Sequence, residues 1–464
     1  MVHRDASRRE FLQKLAVGTG AASVGALPDM SFGAEPVRRP RVAVIFTVLR
    51  FRSHAFNILE NFLGPYYFNG ELTDPGVDVV SLYADQFPHD DMARAVSGKF
   101  RIPLFGSIGD ALRVGGRDLG VDAVLSIGEH GDYPYNERGQ HLYPRKRFFD
   151  EAFAVMRESG RFVPFFNDKH WSYRWDWARE MFDTAREHDM PLLAGSSVPL
   201  AERRPPLELP DGCEIEEAVS IHGGGLESYD FHGLEVLQSL VEQRRGGETG
   251  IAQIELLTGD AFQAAKRNGR WSQELVDAAM QAEQAMNAKR QQRPTTGVFA
   301  ARPTAKQASD RPRPPRPSGD YAISVTYRDG LKATVLKLGS SADRWNFACR
   351  VTGETLPRAT AFFNSPWGNR GLFKALSHSI QHLFVTGREP WPAERTLLTT
   401  GAVEAVMRSF EQNGKAIETP HLEIAYQPTN VKPFREFGQT WSILTEGVPQ
   451  SSYFEPRDFD ELTR

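Results

Sequence analysis

The stretch FFNDKHWSY, residues Phe165 to Tyr173, runs two aromatics into an acid, an amine and an imidazole: Asp168, Lys169 and His170. Groups of these types, side by side, can exchange protons with a substrate hydroxyl. A second set is GEHGDYPYNERG, with Glu129, His130, Asp132, Tyr133 and Tyr135. A third is IHGGGLESYDFHGLEVLQSLVE, with Glu227, Tyr229, Asp230, His232 and Glu235. His232 and Glu235 stand one helical turn apart and share a side of that helix. Smaller polar sets are Arg50, Arg52, Ser53 and His54, then Asp85, then Ser196 and Ser197. No C-x-x-C and no clustered metal-ligand spacing occurs, so no metal site is read here. Cys213 and Cys349 either pair, in an oxidising compartment, or stay as two buried thiols.

These residues need elements to hold them. RVAVIF, VDVVSLYAD, VDAVLSIGEHGD, RFVPFFNDK and MPLLAGSS are short apolar runs fit for buried parallel strands. Helical patterns separate them, including SHAFNILENFL, KRFFDEAFAVMRESG and YRWDWAREMFDTAREHD. Alternating strands and helices predict βαβ units and a parallel, Rossmann-like sheet over 40–199. In such sheets ligands bind beyond the carboxyl ends of the strands, and most of the polar sets fall at those ends. After Pro199 the strands lengthen and alternate, with a hairpin turn at Asp329-Gly330. That predicts an α+β domain with a mostly antiparallel sheet over 200–435. Residues 287–319, rich in Pro, Arg, Ala and Ser, read as a disordered insertion, and 436–464 as a tail.

Among 464 residues, 40% are hydrophobic and 25% charged, with a net charge of -4. This balance argues against nucleic acid as a partner. No apolar run of membrane-spanning length occurs outside the N-terminus. There, Arg8 and Arg9 precede Phe11-Leu12 and a Gly/Ala-rich run, which resembles a twin-arginine export signal. The expectation is a signal peptide over 1–34, the Tat machinery as an export partner, and a periplasmic or otherwise exported location.

The order strand-helix-strand, then VDAVLSIGEH, then FVPFFNDKHWSYRWDWAREMFDTAREHDMPLLAGSS, resembles the N-terminal domain of the Gfo/Idh/MocA oxidoreductases. In that family a strand ends in Glu-Lys-Pro, and NDKH stands in its place, with Asp168, Lys169 and His170 at the matching positions. GGGLESYDFHGLE is similar to the segment that opens the family's second domain. His232 matches the family histidine, and the family aspartate falls on Tyr229 or Asp230. The resemblance implies an oxidoreductase on a sugar or polyol using NAD or NADP. Lys169 and His232 would handle the proton, and Asp230 or Tyr229 would orient the imidazole. Family members carry a Gly-rich turn after the first strand, whereas this chain has IFTVLRFRSHA. Side chains there crowd a dinucleotide. Arg50, Arg52 and Ser53 are then the groups set to meet phosphate, Asp85 the ribose, and Glu129, His130 and Asp168 the rest of the cofactor. Exposed strands of the second domain would pair subunits into a homo-oligomer.

Two other classes fit the same residues. One is a Rossmann-like enzyme without dinucleotide, doing acid–base or metal-assisted lyase or hydrolase chemistry. The other is a non-catalytic exported sugar-binding protein, stacking rings on Tyr133, Tyr135, Trp171 and Tyr173, with Trp175 in the core.

Overall fold

The computed structural model describes residues 38–291 and 316–445, and the described residues from Arg39 onward fall in one compact unit. The expected signal segment lies outside the described residues. The chain opens with β1 (Arg41–Phe46) and α1 (His54–Leu63), then a small hairpin of β2 (Tyr66–Phe68) and β3 (Glu71–Thr73). β4 (Asp78–Ala84), α2 (Ala93–Phe100), β5 (Leu104–Phe105), α3 (Ile108–Arg113) and β6 (Ala123–Ile127) follow. Next come α4 (Arg145–Glu158), β7 (Phe165–Asp168), α5 (Trp175–Glu187) and β8 (Leu192–Gly195). The six-stranded sheet runs β5-β4-β1-β6-β7-β8, and every pair in it is parallel. Val42 to Phe46 are wholly buried because helices cover both faces of such a sheet.

The second layer starts with β9 (Glu202–Arg204), β10 (Ile215–His222) and α6 (Ser228–Val241). It continues through β11 (Ile251–Thr258), α7 (Gly259–Arg267), α8 (Gln273–Gln291), β12 (Tyr321–Tyr327) and β13 (Lys332–Lys337). It ends with β14 (Trp345–Val351), β15 (Arg358–Phe363), α9 (Asn369–Thr386), α10 (Ala393–Glu411), β16 (Ile417–Glu418) and α11 (Thr440–Ile443). The eight-stranded sheet runs β16-β11-β12-β13-β10-β14-β15-β9, antiparallel except for β10 with β13. Strand side chains alternate between faces. Ser220 and His222 of β10 accordingly meet α6, while Val219 and Ile221 join a separate apolar cluster with Phe262, Trp271 and Leu275 of the α7–α8 segment.

Two expectations change here. Beside them, α7 and α8 cover the sheet face that carries Val219 and Ile221 of β10. The insertion expected from 287 begins inside α8, which runs to Gln291; 292–315 lie outside the described residues. The expected tail is partly built: Glu436 N donates to Leu200 O, and Trp441 of α11 is buried. Residues 446–464 lie outside the described residues. Among the described residues no helix is long and apolar enough to cross a membrane.

Candidate active site

Lys169 follows the last residue of β7 and takes a left-handed backbone, with φ 67°. Non-glycine residues adopt that conformation at a cost of order 1–3 kcal/mol, so surrounding bonds must hold it. They do: Gly195 N donates to Lys169 O at 3.2 Å, and Asn167 Nδ2 donates to His170 O at 3.0 Å. Arg52, His130 and Glu227 also have positive φ. Lys169 Nζ donates to Glu129 Oε1 at 3.0 Å. Arg145, the first residue of α4, donates to the other oxygen of Glu129 at 2.5 Å and to His170 Nε2 at 3.1 Å. All four side chains are buried. Burial works to raise the Glu129 carboxyl, but Lys169 and then Arg145 outweigh it and hold it well below the usual range.

His54 begins α1, and its Nδ1 lies 2.6 Å from Asp168 Oδ2. Ser53 Oγ accepts from Phe56 N and caps that helix. The His54 ring meets His130 at 5.0 Å between centroids. Burial, then His54, push the His130 imidazole down to about 3. His130 Nε2 and His170 Nδ1 are buried without a hydrogen-bond partner. Buried polar atoms are almost always satisfied, so these two are available to a bound molecule.

His232 reaches the same cluster from α6. Its Nδ1 lies 2.6 Å from Ser196 Oγ, just past β8. Ser196 N donates to Glu235 Oε2, and Thr399 of α10 donates to Glu235 Oε1 at 2.5 Å. Burial, then Lys169 and His54, hold the His232 imidazole well below its ordinary value. The expected orienters do something else. Asp230 accepts from Glu227 N and from Tyr321 OH, and it lies 3.0 Å from His222 Nε2. It is a helix cap and core anchor because the capping box takes its carboxylate away from His232. Tyr229 stacks on Trp345 at 5.1 Å, its ring lying where a Cβ on Gly224 would sit.

The first βα turn is filled with side chains. Val48 and Leu49 are fully buried, Ser53 N donates to Arg50 O, and the Arg52 guanidinium lies over Phe51. Asp85 receives Tyr83 OH at 2.7 Å, Tyr133 OH at 2.5 Å and Arg147 at 2.5 Å. Burial would raise the Asp85 carboxyl, but these three donors bring it below its usual value. A ribose hydroxyl at Asp85 would have to displace them.

Above the cluster, Tyr135 stacks on His141 and His141 on Tyr143, at 4.3 and 4.0 Å. Glu227 accepts from His141 N, and burial pushes its carboxyl up to about 7. Trp171, expected as a stacking surface, is wholly buried because it closes the core behind β7. Cys213 and Cys349 are free thiols. Among the described residues no cluster of three or more His, Cys, Asp or Glu could hold a metal ion.

Five imidazoles pushed down by partial or complete burial tie stability to pH. His130 is pushed down to about 3, His141 and His378 to about 4, and His170 and His232 well below 6.5, burial leading in each. Below 6.5 the unfolded chain binds protons these sites refuse, so stability falls as pH drops. Glu227, raised to about 7, Asp91, raised to about 6, and the raised carboxyls of Glu235, Glu404 and Glu436 oppose this, whereas His382 and His421, also pushed down by burial, add to it. Urea midpoints are expected to fall steadily between about pH 6.5 and about pH 4, and His130→Gln to flatten the slope. An unchanged slope in His130→Gln would contradict the burial of that ring as a neutral group.

No protein-family model matches the chain, and no curated protein is significantly similar to it. Solved structures are similar in fold. GenD2 from gentamicin A biosynthesis, in complex with NAD, matches with TM-score 0.51 and 11% identity, over 85% of this chain and 99% of that one. Myo-inositol dehydrogenase from Lactobacillus casei, in complex with NAD(H) and myo-inositol, matches with TM-score 0.51 and 13% identity, over 85% of this chain and 100% of that one. The chain shares the fold of these two structures, with a parallel Rossmann-like sheet joined to a mostly antiparallel one.

Proposed function

We propose that this chain is an exported oxidoreductase of the Gfo/Idh/MocA kind, acting on a sugar or polyol with a nicotinamide cofactor. One observation carries the reading: Lys169, strained at the end of β7 and paired to Glu129, shares a buried site with His232, which Ser196 holds from the facing layer. Glu129 and Arg145 fix the lysine. Ser196 and Glu235 fix the imidazole. A substrate hydroxyl between Lys169 Nζ and His232 Nε2 can lose its proton to the neutral imidazole, while the Lys169 ammonium stabilises the alkoxide that forms. The orphaned His130 Nε2 and His170 Nδ1 can bind neighbouring hydroxyls.

The cofactor, when bound, supplies the hydride acceptor. The reacting end of the site suits it, being buried and lined by fixed donors. The phosphate-and-ribose end does not suit the usual glycine-cradled mode, because Val48 and Leu49 fill the turn and Asp85 is engaged. Arg50 and Arg52 are the cations on that turn, and charge-assisted bonds to phosphate are their proposed role.

A second reading rests on His54. It stands at the helix N-terminus where phosphate would ordinarily bind, and it is paired with Asp168. An Asp–His pair beside Lys169 is equipped for acid–base lyase or hydrolase chemistry without dinucleotide. Mass analysis of small molecules released by denaturant, followed by NADH formation with myo-inositol and related polyols, separates the two. Bound NAD(P) or NADH production supports the first. Folded protein that releases no dinucleotide, and whose melting temperature is unmoved by added NAD(P), defeats it and leaves the second.

A further inference from the structure

A polar cavity of about 530 Å³ lies at the far end of α6 from His232. Leu240, on its wall, is roughly 12 Å further along the helix axis, at 1.5 Å per residue. Arg203 of β9 and Arg435 line it and are 5% and 3% exposed. Arg435 forks onto Glu208 at 2.9 and 2.5 Å. Arg203 donates to Leu207 O at 2.8 Å and stands 3.6 Å from the same carboxylate. The Nε of each arginine is buried with no partner. Glu208 is itself half exposed, so one shared carboxylate serves two buried guanidiniums.

The other charged groups do not balance them. Arg244 is tied to Glu248 and Asp329, and Lys432 adds a further cation to the wall. The remaining acid is Asp211, exposed at the rim. Burial, then Arg435, push the Arg203 guanidinium down to about 9, as expected of a cation short of an anion. A buried charge without its counter-charge is costly, and here it borders open, polar-lined space.

We propose that this cavity is a second ligand site, separate from the Lys169 cluster, which binds a small molecule through a phosphate or carboxylate oxyanion held by Arg203, Arg435 and Lys432. Guanidinium forks suit such anions in a way that a single ammonium does not. The site also touches the catalytic layer: Arg395, beside Arg203, grips Glu242, and Thr399 one turn along α10 holds Glu235.

The test is calorimetric titration of the full chain with inorganic phosphate, against chloride at equal ionic strength. Saturable binding is expected. Lys432→Ala, an exposed change, is expected to weaken it at least about threefold, and Arg203→Gln about tenfold or more. Lys169→Met is expected to bind phosphate as the parent does. If Arg203→Gln fails to fold, Lys432→Ala decides alone. No saturable heat, an unchanged Kd in Lys432→Ala, or loss of phosphate binding in Lys169→Met would each overturn the proposal. Failure of the dehydrogenase reading leaves these outcomes untouched.

Discussion

Lys169→Met is expected to remain folded and to lose about 10³-fold in kcat on a polyol substrate, with KM little changed. The fold survives because Glu129 keeps Arg145, whose guanidinium already holds its second oxygen. The urea midpoint should fall by an amount equivalent to about 1–3 kcal/mol, the usual cost of removing one partner from a buried bond. Steady-state kinetics against the same polyol decide the role. A raised KM with kcat intact would reduce Lys169 to a substrate-binding group.

Glu129→Gln should do the reverse, damaging stability first. The carboxylate is the one anion bonded to both Lys169 and Arg145, and all three are buried. Glutamine keeps the shape and removes the charge, which strands two cations. Breaking a buried pair by deleting one member costs about 3–5 kcal/mol, a large part of a typical domain's stability. Urea unfolding near neutral pH checks this. A loss no larger than that of Lys169→Met would mean that the charges are relieved by water or by another acid. The double variant Glu129→Gln, Lys169→Met should recover part of the loss, because one stranded cation is gone.

The strand ends were legible in the sequence, since apolar runs closed by polar residues mark where a parallel sheet opens to ligand. Glu129, His130, Asp168 and Lys169 come together on that basis, and His232 joins them from the second layer. What was not legible is which group pairs with which. His54 and Asp168 lie far apart in sequence, and nothing in either neighbourhood marks the other. Arg145 reads as one cation in a basic helix start, yet it is 1% exposed. Ser196 was one polar residue among several, and only the fold brings its hydroxyl to His232. Asp230 misled for a local reason. The residue that looks like a histidine's neighbour in sequence is also the N3 residue of a capping box, and the cap claims it. The α7–α8 pair was missed because its cue, the apolar face carrying Val219 and Ile221 of β10, lies in a different segment.

That pair also bears on how the chain behaves in company. An uncovered eight-stranded sheet would carry a broad apolar face needing a second molecule, and its folding would then depend on how much protein was present. Here Phe262, Trp271 and Leu275 supply that cover from within the same chain. Shielding of this face is therefore first order in protein: it forms at the same rate in a dilute solution as in a crowded one, and dilution cannot strip it away.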